Sequence, residues 1–284
     1  MKKQFPISNR PNRWTIPLWA SNSIRVLVLH VAITLNATAI AADLSKVVII
    51  KADDFTGTNG AWSDFLEVSR AAGVKVSIGV ITKSIQENSP VQEWMRAQEN
   101  NSDVEFWNHG WDHKGWITNG LSIGEFQGSG LAHQREHLIR SQASLKMLLG
   151  HDVIAFGSPG NGFDSDTALV MNESAVLRLF FTYTQNNKTE AARKLLANRI
   201  ALLDIVPEAD GTGKPNAAKL AVLLAKHPPG PVSLQFHPPR FDAPHLIEYK
   251  QILADLKAHG YTTMLPAEFV ASLPARTANP LGTR

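Results

Sequence analysis

The sequence predicts an α/β protein in which seven or eight parallel strands alternate with helices and close into a single-domain barrel. Short apolar runs rich in β-branched residues alternate with segments of helical spacing, which is typical of a parallel sheet covered by helices. The length of 284 residues is ordinary for one such barrel. Several apolar runs end in polar residues, where a barrel places its active site. A closed barrel is therefore favoured over an open, doubly wound sheet.

Eight runs have the composition of buried strands. In chain order they are Val47–Ile50, Val74–Ile81, Val104–Trp107, Val153–Phe156, Leu177–Thr184, Ile200–Val206, Val232–Phe236 and Tyr261–Leu265. Five intervening segments have the apolar periodicity of helices that pack on a sheet. They are Trp62–Ala72, Val91–Asn100, His133–Leu149, Ala217–Lys226 and Leu246–His259. Gly73, Gly150 and Gly260 follow predicted helices, where a glycine commonly ends a helix.

Residues 1–41 are expected to be a signal peptide. They carry five Lys or Arg residues and no acidic residue, and they include an apolar run from Val26 to Ala37. Cleavage is predicted near Ala41/Ala42, where small residues precede the site, and it would leave residues 43–284 as an exported, periplasmic or secreted domain. An uncleaved membrane anchor is the alternative, although the apolar run is shorter than the ~20 residues that span a bilayer.

The excess of positive charge belongs to this leader. The chain has 28 basic and 25 acidic residues, and without the five basic residues of the leader 23 remain against 25. The mature chain therefore has no basic field for nucleic acid or a membrane surface, and neither is an expected partner. There is no cysteine, so no disulfide is expected. The oligomeric state is left open.

Asp53 and Asp54 form a carboxylate pair directly after the first apolar run. Two adjacent carboxylates in one site are costly unless something separates their roles. A metal ion does so, because it takes one carboxylate as a ligand and leaves the other free to accept a proton. A helix N-cap or a solvated turn is the alternative.

His109 and His113 lie four residues apart after the third run. This spacing brings both imidazoles to one side if the chain turns helically. Nitrogen ligands with an added carboxylate suit Zn²⁺ or a similar first-row ion and leave positions open for water and substrate. Two hydrogen-bonding loop histidines are the alternative. A position at a strand end, with Asp54 upstream and His237 downstream, favours the metal site.

The order of these motifs resembles the polysaccharide deacetylases of carbohydrate esterase family 4, over about residues 46–274. The resemblance implies a distorted (β/α) barrel. The roles that it implies are general base for Asp53, general acid for His237, and metal ligand for Asp54, His109 and His113.

One part of the chain departs from the family pattern. The resemblance makes Phe156–Gly160 one wall of the groove, with Gly157 where the family usually has an arginine that orients the catalytic aspartate. Without a nearby cation, the side chain of Asp53 should be less fixed. Lys51, on the same side of the strand as Asp53, and Arg240 are the candidates for a replacement charge.

Aromatic rings near the histidine motif predict a substrate surface, because sugar rings stack on aromatic faces. The residues predicted to contact substrate are Trp111, Trp116, Pro159, Gly160 and Phe163. Trp107 and Phe241 belong to the same cluster, and core packing is the alternative for Trp107.

Two other groups of polar residues have open roles. His133, Glu136 and His137 match the H-x-x-E-H pattern of inverted zinc peptidases, but they lie in an amphipathic helix, where a surface pair of histidines is the favoured interpretation. Asp204 follows the sixth run closely and is expected either to orient His237 or to be a solvated loop carboxylate.

The resemblance implies a metal-dependent hydrolase that removes acetyl groups from a carbohydrate, with Zn²⁺ or another first-row divalent ion as its cofactor. A general acid at His237 favours N-acetyl over O-acetyl substrates, because an amine leaves less readily than an alcohol. The alternatives are a non-catalytic barrel that binds metal and carbohydrate, which the missing arginine favours, and a zinc peptidase. The particular glycan is not determined.

Overall fold

The computed structural model describes residues 43–183, 187–196, 199–209 and 212–274. All of them belong to one compact unit. The predicted signal peptide, residues 1–41, lies outside the described part of the chain. Within that part, no helix combines the length and the apolar character that crossing a membrane requires.

Seven parallel strands form a closed barrel. All the strands among the described residues, in chain order, are β1 (Val47–Phe55), β2 (Val76–Val80), β3 (Val104–Asn108), β4 (Trp116–Thr118), β5 (Leu121–Ile123), β6 (Ala155–Gly157), β7 (Leu179–Thr182), β8 (Ile200–Ile205), β9 (Glu208–Ala209), β10 (Lys214–Pro215), β11 (Val232–Phe236) and β12 (Thr262–Thr263). The barrel order is β1-β2-β3-β6-β7-β8-β11, and β11 pairs with β1 to close it. The short β12 also pairs with β1, while β4–β5 and β9–β10 are separate antiparallel hairpins. The predicted α/β barrel is confirmed.

The helices are α1 (Gly60–Ala71), α2 (Ser89–Glu99), α3 (Leu131–Leu149), α4 (Ser165–Glu173), α5 (Asn187–Lys194), α6 (Ala217–Lys226), α7 (Ala243–Ala258) and α8 (Pro266–Ser272). Each of the five predicted helices and each of the eight predicted strands corresponds to an observed element. No predicted helix corresponds to α4, α5 or α8. Of these, α4 begins with a capping box between Asp164 and Thr167, which is a readable helix-start signal. In contrast, α5 is too polar to show an apolar stripe.

Trp107 explains the glycine in the wall segment. Its ring is fully buried and packs edge-on against Phe181, with ring centroids 5.0 Å apart. A Cβ atom added to Gly157 would lie 2.8 Å from this ring, closer than packing allows. Core packing of Trp107 therefore leaves no room for any larger side chain at position 157.

Candidate active site

A cavity of about 650 Å³ opens where the barrel strands end at their carboxyl termini. This is the face on which parallel barrels carry their active sites. The acidic and imidazole side chains that line it are Asp53, Asp54, His109, His113, Asp204, Glu208, His227 and His237. The closure of the barrel has thus brought together residues that are far apart in the sequence.

A bulge at the end of β1 lets two adjacent carboxylates line the same cavity. Neighbouring residues of a regular strand point to opposite faces of the sheet. Here the pairing of β1 with β2 shifts register between Ala52 and Phe55, and Asp54 adopts a φ of 66°. A left-handed conformation at a residue with a side chain costs about 1–3 kcal/mol. This strain lies at the position where Asp53 and Asp54 enter the cavity together.

Asp54, His109 and His113 converge as a set of metal ligands would. Asp54 Oδ1 lies 3.3 Å from His109 Nε2 and 3.2 Å from His113 Nε2, and the three residues offer ligand atoms within 4.8 Å of one another. Although Asp54 Oδ1 is buried, no hydrogen bond satisfies it. One carboxylate oxygen and two imidazole nitrogens that face each other without hydrogen-bond geometry fit a divalent first-row ion.

The electrostatics agree with a carboxylate ligand. Burial works against the charged form of Asp54, but the two neighbouring imidazoles outweigh it and hold the Asp54 pKa well below its usual range. His109 is oriented by its other nitrogen, since Nδ1 lies 2.8 Å from the carbonyl oxygen of Gly157. A carbonyl only accepts, so Nδ1 carries the proton, and Nε2 is the nitrogen that faces Asp54.

Lys51 supplies the cation that the wall segment lacks. Its Nζ lies 2.6 Å from Asp53 Oδ2 and 3.1 Å from Asp204 Oδ2, and all three side chains are 1% exposed. The other oxygen of Asp53, Oδ1, is buried without a partner. Arg240, the second candidate, lines the cavity but forms no ion pair with Asp53 within the described residues.

The charges of this buried cluster depend on each other. Burial opposes the charged form of Lys51, but Asp204 and Asp53 outweigh it and raise the Lys51 pKa above its usual value. Burial, reinforced by the negative Asp53, raises the pKa of Asp204 to about 6, although Lys51 and Ser233 act in the opposite direction. The lysine is therefore charged, with at least one ionised carboxylate beside it.

Glu208, which the sequence analysis did not single out, orients His237. Its Oε1 accepts the backbone N–H of His237 at 2.7 Å, and its Oε2 lies 2.7 Å from His237 Nδ1. The expectation that Asp204 either orients His237 or is solvated is wrong on both counts, because Asp204 is buried and bonded to Lys51 and Ser233. Glu208 could have been proposed by the same reasoning, since it also follows the end of β8 closely.

The protonation of His237 follows from these neighbours. Burial lowers its pKa, but the hydrogen bond to Glu208 and the negative charges of Asp53, Glu208 and Asp54 outweigh this and raise it. His237 Nε2 lies 3.9 Å from Asp54 Oδ2, so the imidazole stands beside the three converging ligands.

Two of the predicted substrate contacts are inside the protein instead. Trp111 is 4% exposed and lies under the guanidinium of Arg140, 3.9 Å from the ring centroid. Phe163 is 1% exposed and packs edge-on against Phe180. Neither ring is available for stacking on a sugar, because apolar and cation–π packing already covers it.

The other predicted contacts are divided. Gly160 lines the cavity, whereas its neighbour Pro159 is buried. Trp116 is 41% exposed, but its ring packs against His133 and does not line the cavity. Tyr183 does line it and was not singled out from the sequence.

The H-x-x-E-H segment lies on α3 and does not line the cavity. His137 Nδ1 lies 2.9 Å from Glu125 Oε1, and only 12% of the His137 side chain is exposed. The prediction that both histidines lie on the surface is therefore wrong for His137. The peptidase alternative is also unsupported, because Glu136 faces solvent and the imidazole of His137 is taken by Glu125.

Comparisons with known proteins agree with the barrel fold. Residues 42–177 match the Polysaccharide deacetylase family. The domain of a multidomain xylanase from the hindgut metagenome of Trinervitermes trinervoides has 16% identity and a TM-score of 0.55, covering 80% of this chain and 90% of that one. An acetyl xylan esterase of family 4 from Clostridium thermocellum, in complex with a cobalt ion, has 15% identity and a TM-score of 0.55, covering 81% and 93%.

A CE4 family pseudoenzyme from Bacillus anthracis is also similar, with 16% identity, a TM-score of 0.52 and coverage of 78% of this chain and 64% of that one. No curated protein sequence matches the chain. At these identities the solved structures establish the likeness of the fold. Together with the family match, they confirm the resemblance to the polysaccharide deacetylases.

Proposed function

We propose that this chain, which has the fold of the polysaccharide deacetylases, is a metal-dependent hydrolase that removes acetyl groups from a carbohydrate. The observation that carries the proposal is the convergence of Asp54, His109 and His113 in one cavity. Asp53 and His237 stand next to these ligands, at 3.8 Å from His109 and 3.9 Å from Asp54. Each of these five residues has a part in acetyl hydrolysis.

We propose Zn²⁺ as the cofactor, held by Asp54, His109 and His113. When bound, such an ion polarises an acetyl carbonyl and lowers the pKa of water from about 15.7 towards 7. The anionic Asp54 and the lone pair of His109 Nε2 match the ligand preference of zinc. The chain contributes three ligands, which is the usual number for a catalytic zinc site that leaves a position open.

Asp53 is the proposed general base. Lys51 holds Oδ2 of this carboxylate in place, while Oδ1 has no partner and is free to take a proton from the attacking water. A base must be oriented before the reaction to be efficient, and a buried lysine 2.6 Å away fixes that orientation. Lys51 thus does for Asp53 what the missing arginine is expected to do.

His237 is the proposed general acid. Glu208 engages Nδ1, and the Nε2–H of the imidazolium, 3.4 Å from the side-chain amide nitrogen of Gln235, would donate to the leaving group. The raised pKa of His237 favours this protonated form near neutral pH. An amine needs such a donor more than an alcohol does, which supports N-acetyl groups as the preferred substrate.

An acetylated carbohydrate outside the cytoplasm is the proposed substrate. Similar solved structures include an acetyl xylan esterase and a deacetylase with substrate, which supports this class of ligand. The cavity offers Tyr183 and the backbone of Gly160 beside the charged residues. Export, in the periplasm or beyond, is proposed from the predicted signal peptide at residues 1–41.

A non-catalytic barrel that binds metal and carbohydrate is the second candidate. It is favoured by Gly157 in place of the arginine and by the similarity to a pseudoenzyme. The contact of Lys51 with Asp53 favours the enzyme instead, because it provides an orienting charge by another route.

Acetate release separates the two candidates. The purified protein, before and after chelation and Zn²⁺ add-back, would be assayed on a panel of N- and O-acetylated oligosaccharides together with its metal content. We expect turnover by the metal-loaded protein, loss of turnover with retained metal in Asp53→Asn, and loss of both in Asp54→Ala. Full activity after chelation would exclude the metal mechanism. Metal binding without acetate release on any substrate would favour the binding barrel.

A further inference from the structure

We propose that Glu125 and His137 are positioning residues that hold the loop 109–113 in its ligand-binding conformation, an inference that rests on the proposed metal site. Neither residue lines the cavity. The proposal gives a role to His137 of the H-x-x-E-H segment, which takes no part in the proposed reaction.

Glu125 binds the backbone of the loop 109–113. Its Oε1 accepts the N–H of Trp111 at 2.6 Å, and its Oε2 accepts the N–H groups of Asp112 at 3.2 Å and His113 at 2.6 Å. The Glu125 side chain has no exposed surface. Three consecutive N–H groups are thus satisfied by one buried carboxylate, and the buried N–H of Trp111 would cost about 1–3 kcal/mol if left without an acceptor.

The loop needs such support because its conformation is irregular. Gly110 has a φ of 79° and His113 has a φ of 53°. A positive φ is unfavourable for His113, because it has a side chain. The carbonyl groups of Gly110 and Trp111 accept from the backbone N–H groups of Thr82 and Lys83, at 3.2 and 2.8 Å. The N–H side of the loop is held by Glu125. Both sides of the loop backbone are therefore held by groups of the protein itself.

His137 links Glu125 to α3. Its Nδ1 lies 2.9 Å from Glu125 Oε1, the oxygen that also accepts the N–H of Trp111. His133, one helical turn earlier, packs against the ring of His137 with centroids 3.9 Å apart. The spacing of the two histidines thus reflects a stack that orients the His137 donor towards the carboxylate.

The cluster around Glu125 is not expected to hold a second metal ion. Asp112, Glu125 and His137 offer ligand atoms within 4.8 Å of one another. Each oxygen of Glu125, however, already accepts two hydrogen bonds, from Trp111 and His137 on one side and from Asp112 and His113 on the other. A metal there would have to displace hydrogen bonds that hold the loop.

Cobalt binding tests the inference without relying on turnover. The metal-free full chain would be titrated with Co²⁺ against a competing chelator, with the d–d absorption of the ion as a record of its geometry. We expect Glu125→Gln to weaken Co²⁺ binding about 10–100-fold, the range seen when residues that orient metal ligands are removed. Glutamine keeps the shape but replaces one acceptor oxygen by a donor that faces N–H groups. Glu136→Gln, the same change on exposed α3 surface, should bind like the wild type.

Two substitutions of His137 keep the test decisive if Glu125→Gln does not fold. His137→Phe retains a ring but loses the donor and should weaken Co²⁺ binding, whereas His137→Asn, whose amide nitrogen can replace Nδ1, should restore most of it. All comparisons would be made where unfolding curves show the variants folded.

Unchanged affinity and absorption in both Glu125→Gln and His137→Phe would overturn the inference and leave the proposed function standing. Two ions per chain, falling to one in Glu125→Gln, would also overturn it. If the wild type bound no cobalt, the proposed metal site would fail and the inference with it.

Discussion

Lys51 is a fully buried lysine between two carboxylates, and its replacement by methionine is the sharpest test of the cluster around the proposed base. Methionine keeps the length and most of the volume of the side chain but removes its charge. The two carboxylate oxygens that Lys51 Nζ contacts are no more than 5.7 Å apart, the sum of the two contact distances of 2.6 and 3.1 Å. Two negative charges at that distance repel by about 3 kcal/mol at an effective dielectric constant near 20.

The loss of stability should depend on pH. Removing one partner of a buried ion pair costs about 3–5 kcal/mol, and we expect this loss at pH 8. The pKa of Asp204 is already raised to about 6 and rises further without the lysine. In the variant, the native state therefore keeps a proton on Asp204 that the unfolded state releases, and its stability falls as pH rises. At pH 5 the loss should be about 1–2 kcal/mol smaller, because Asp204 is then neutral.

Urea unfolding of the metal-free protein at pH 5 and pH 8 would measure both values. Adding Asp204→Asn to Lys51→Met removes the repulsion and should recover about 2–3 kcal/mol at pH 8. An equal loss of stability at both pH values, with no recovery in the double variant, would refute the reasoning.

For the reaction, Lys51→Met should lower kcat and change its pH profile, and unchanged kinetics would show that Lys51 does not position the base.

Three further predictions concern other parts of the barrel. Burial and neighbouring carboxylates raise the pKa of Glu105 to about 7, so this residue should lower the free energy of unfolding by about 1–3 kcal/mol as pH rises from 5 to 8. Because the raised pKa of Asp204 adds a slope of the same sign, Glu105→Gln should reduce the slope measured by urea unfolding without abolishing it, and an unchanged slope would contradict the assignment. Gly157→Ala should lower the free energy of unfolding by about 1–3 kcal/mol, because the added Cβ would lie 2.8 Å from the ring of Trp107. A thermal unfolding midpoint equal to that of the wild type would show that the ring moves aside freely. Asp54→Ala should weaken Zn²⁺ binding by more than ~100-fold, which is the upper range for residues that only support a metal ligand. Competition with a chelator would measure the affinity, and a value near that of the wild type would exclude Asp54 as a ligand.

Much of the architecture was readable from local patterns. All eight apolar runs contain strands, because a strand buried on both faces needs a continuous run of apolar residues. The convergence of Asp54, His109 and His113 followed from one rule, that parallel strands of a barrel end on the same face. The residue types at those ends, a carboxylate and two imidazoles, already indicated metal chemistry.

The pairing of polar groups was decided by the tertiary structure alone. Asp204 and Glu208 both lie near the end of β8, yet one bonds Lys51 and the other orients His237. Which carboxylate takes which partner depends on the order and register of strands that meet only when β11 closes on β1. No sequence spacing contains that information.

Burial of the aromatic rings was decided in the same way. Trp111 and Phe163 flank the site in sequence but pack into the protein, and Trp107 occupies the volume that an arginine at position 157 would need. Glu125 has no motif around it, and its importance comes from three backbone N–H groups that point at one buried carboxylate. The sequence alone predicted the strands of the barrel, five of its helices and the types of chemical group available. Packing in three dimensions decided which of those groups could meet, because contact between distant segments depends on volume and register as well as on residue type.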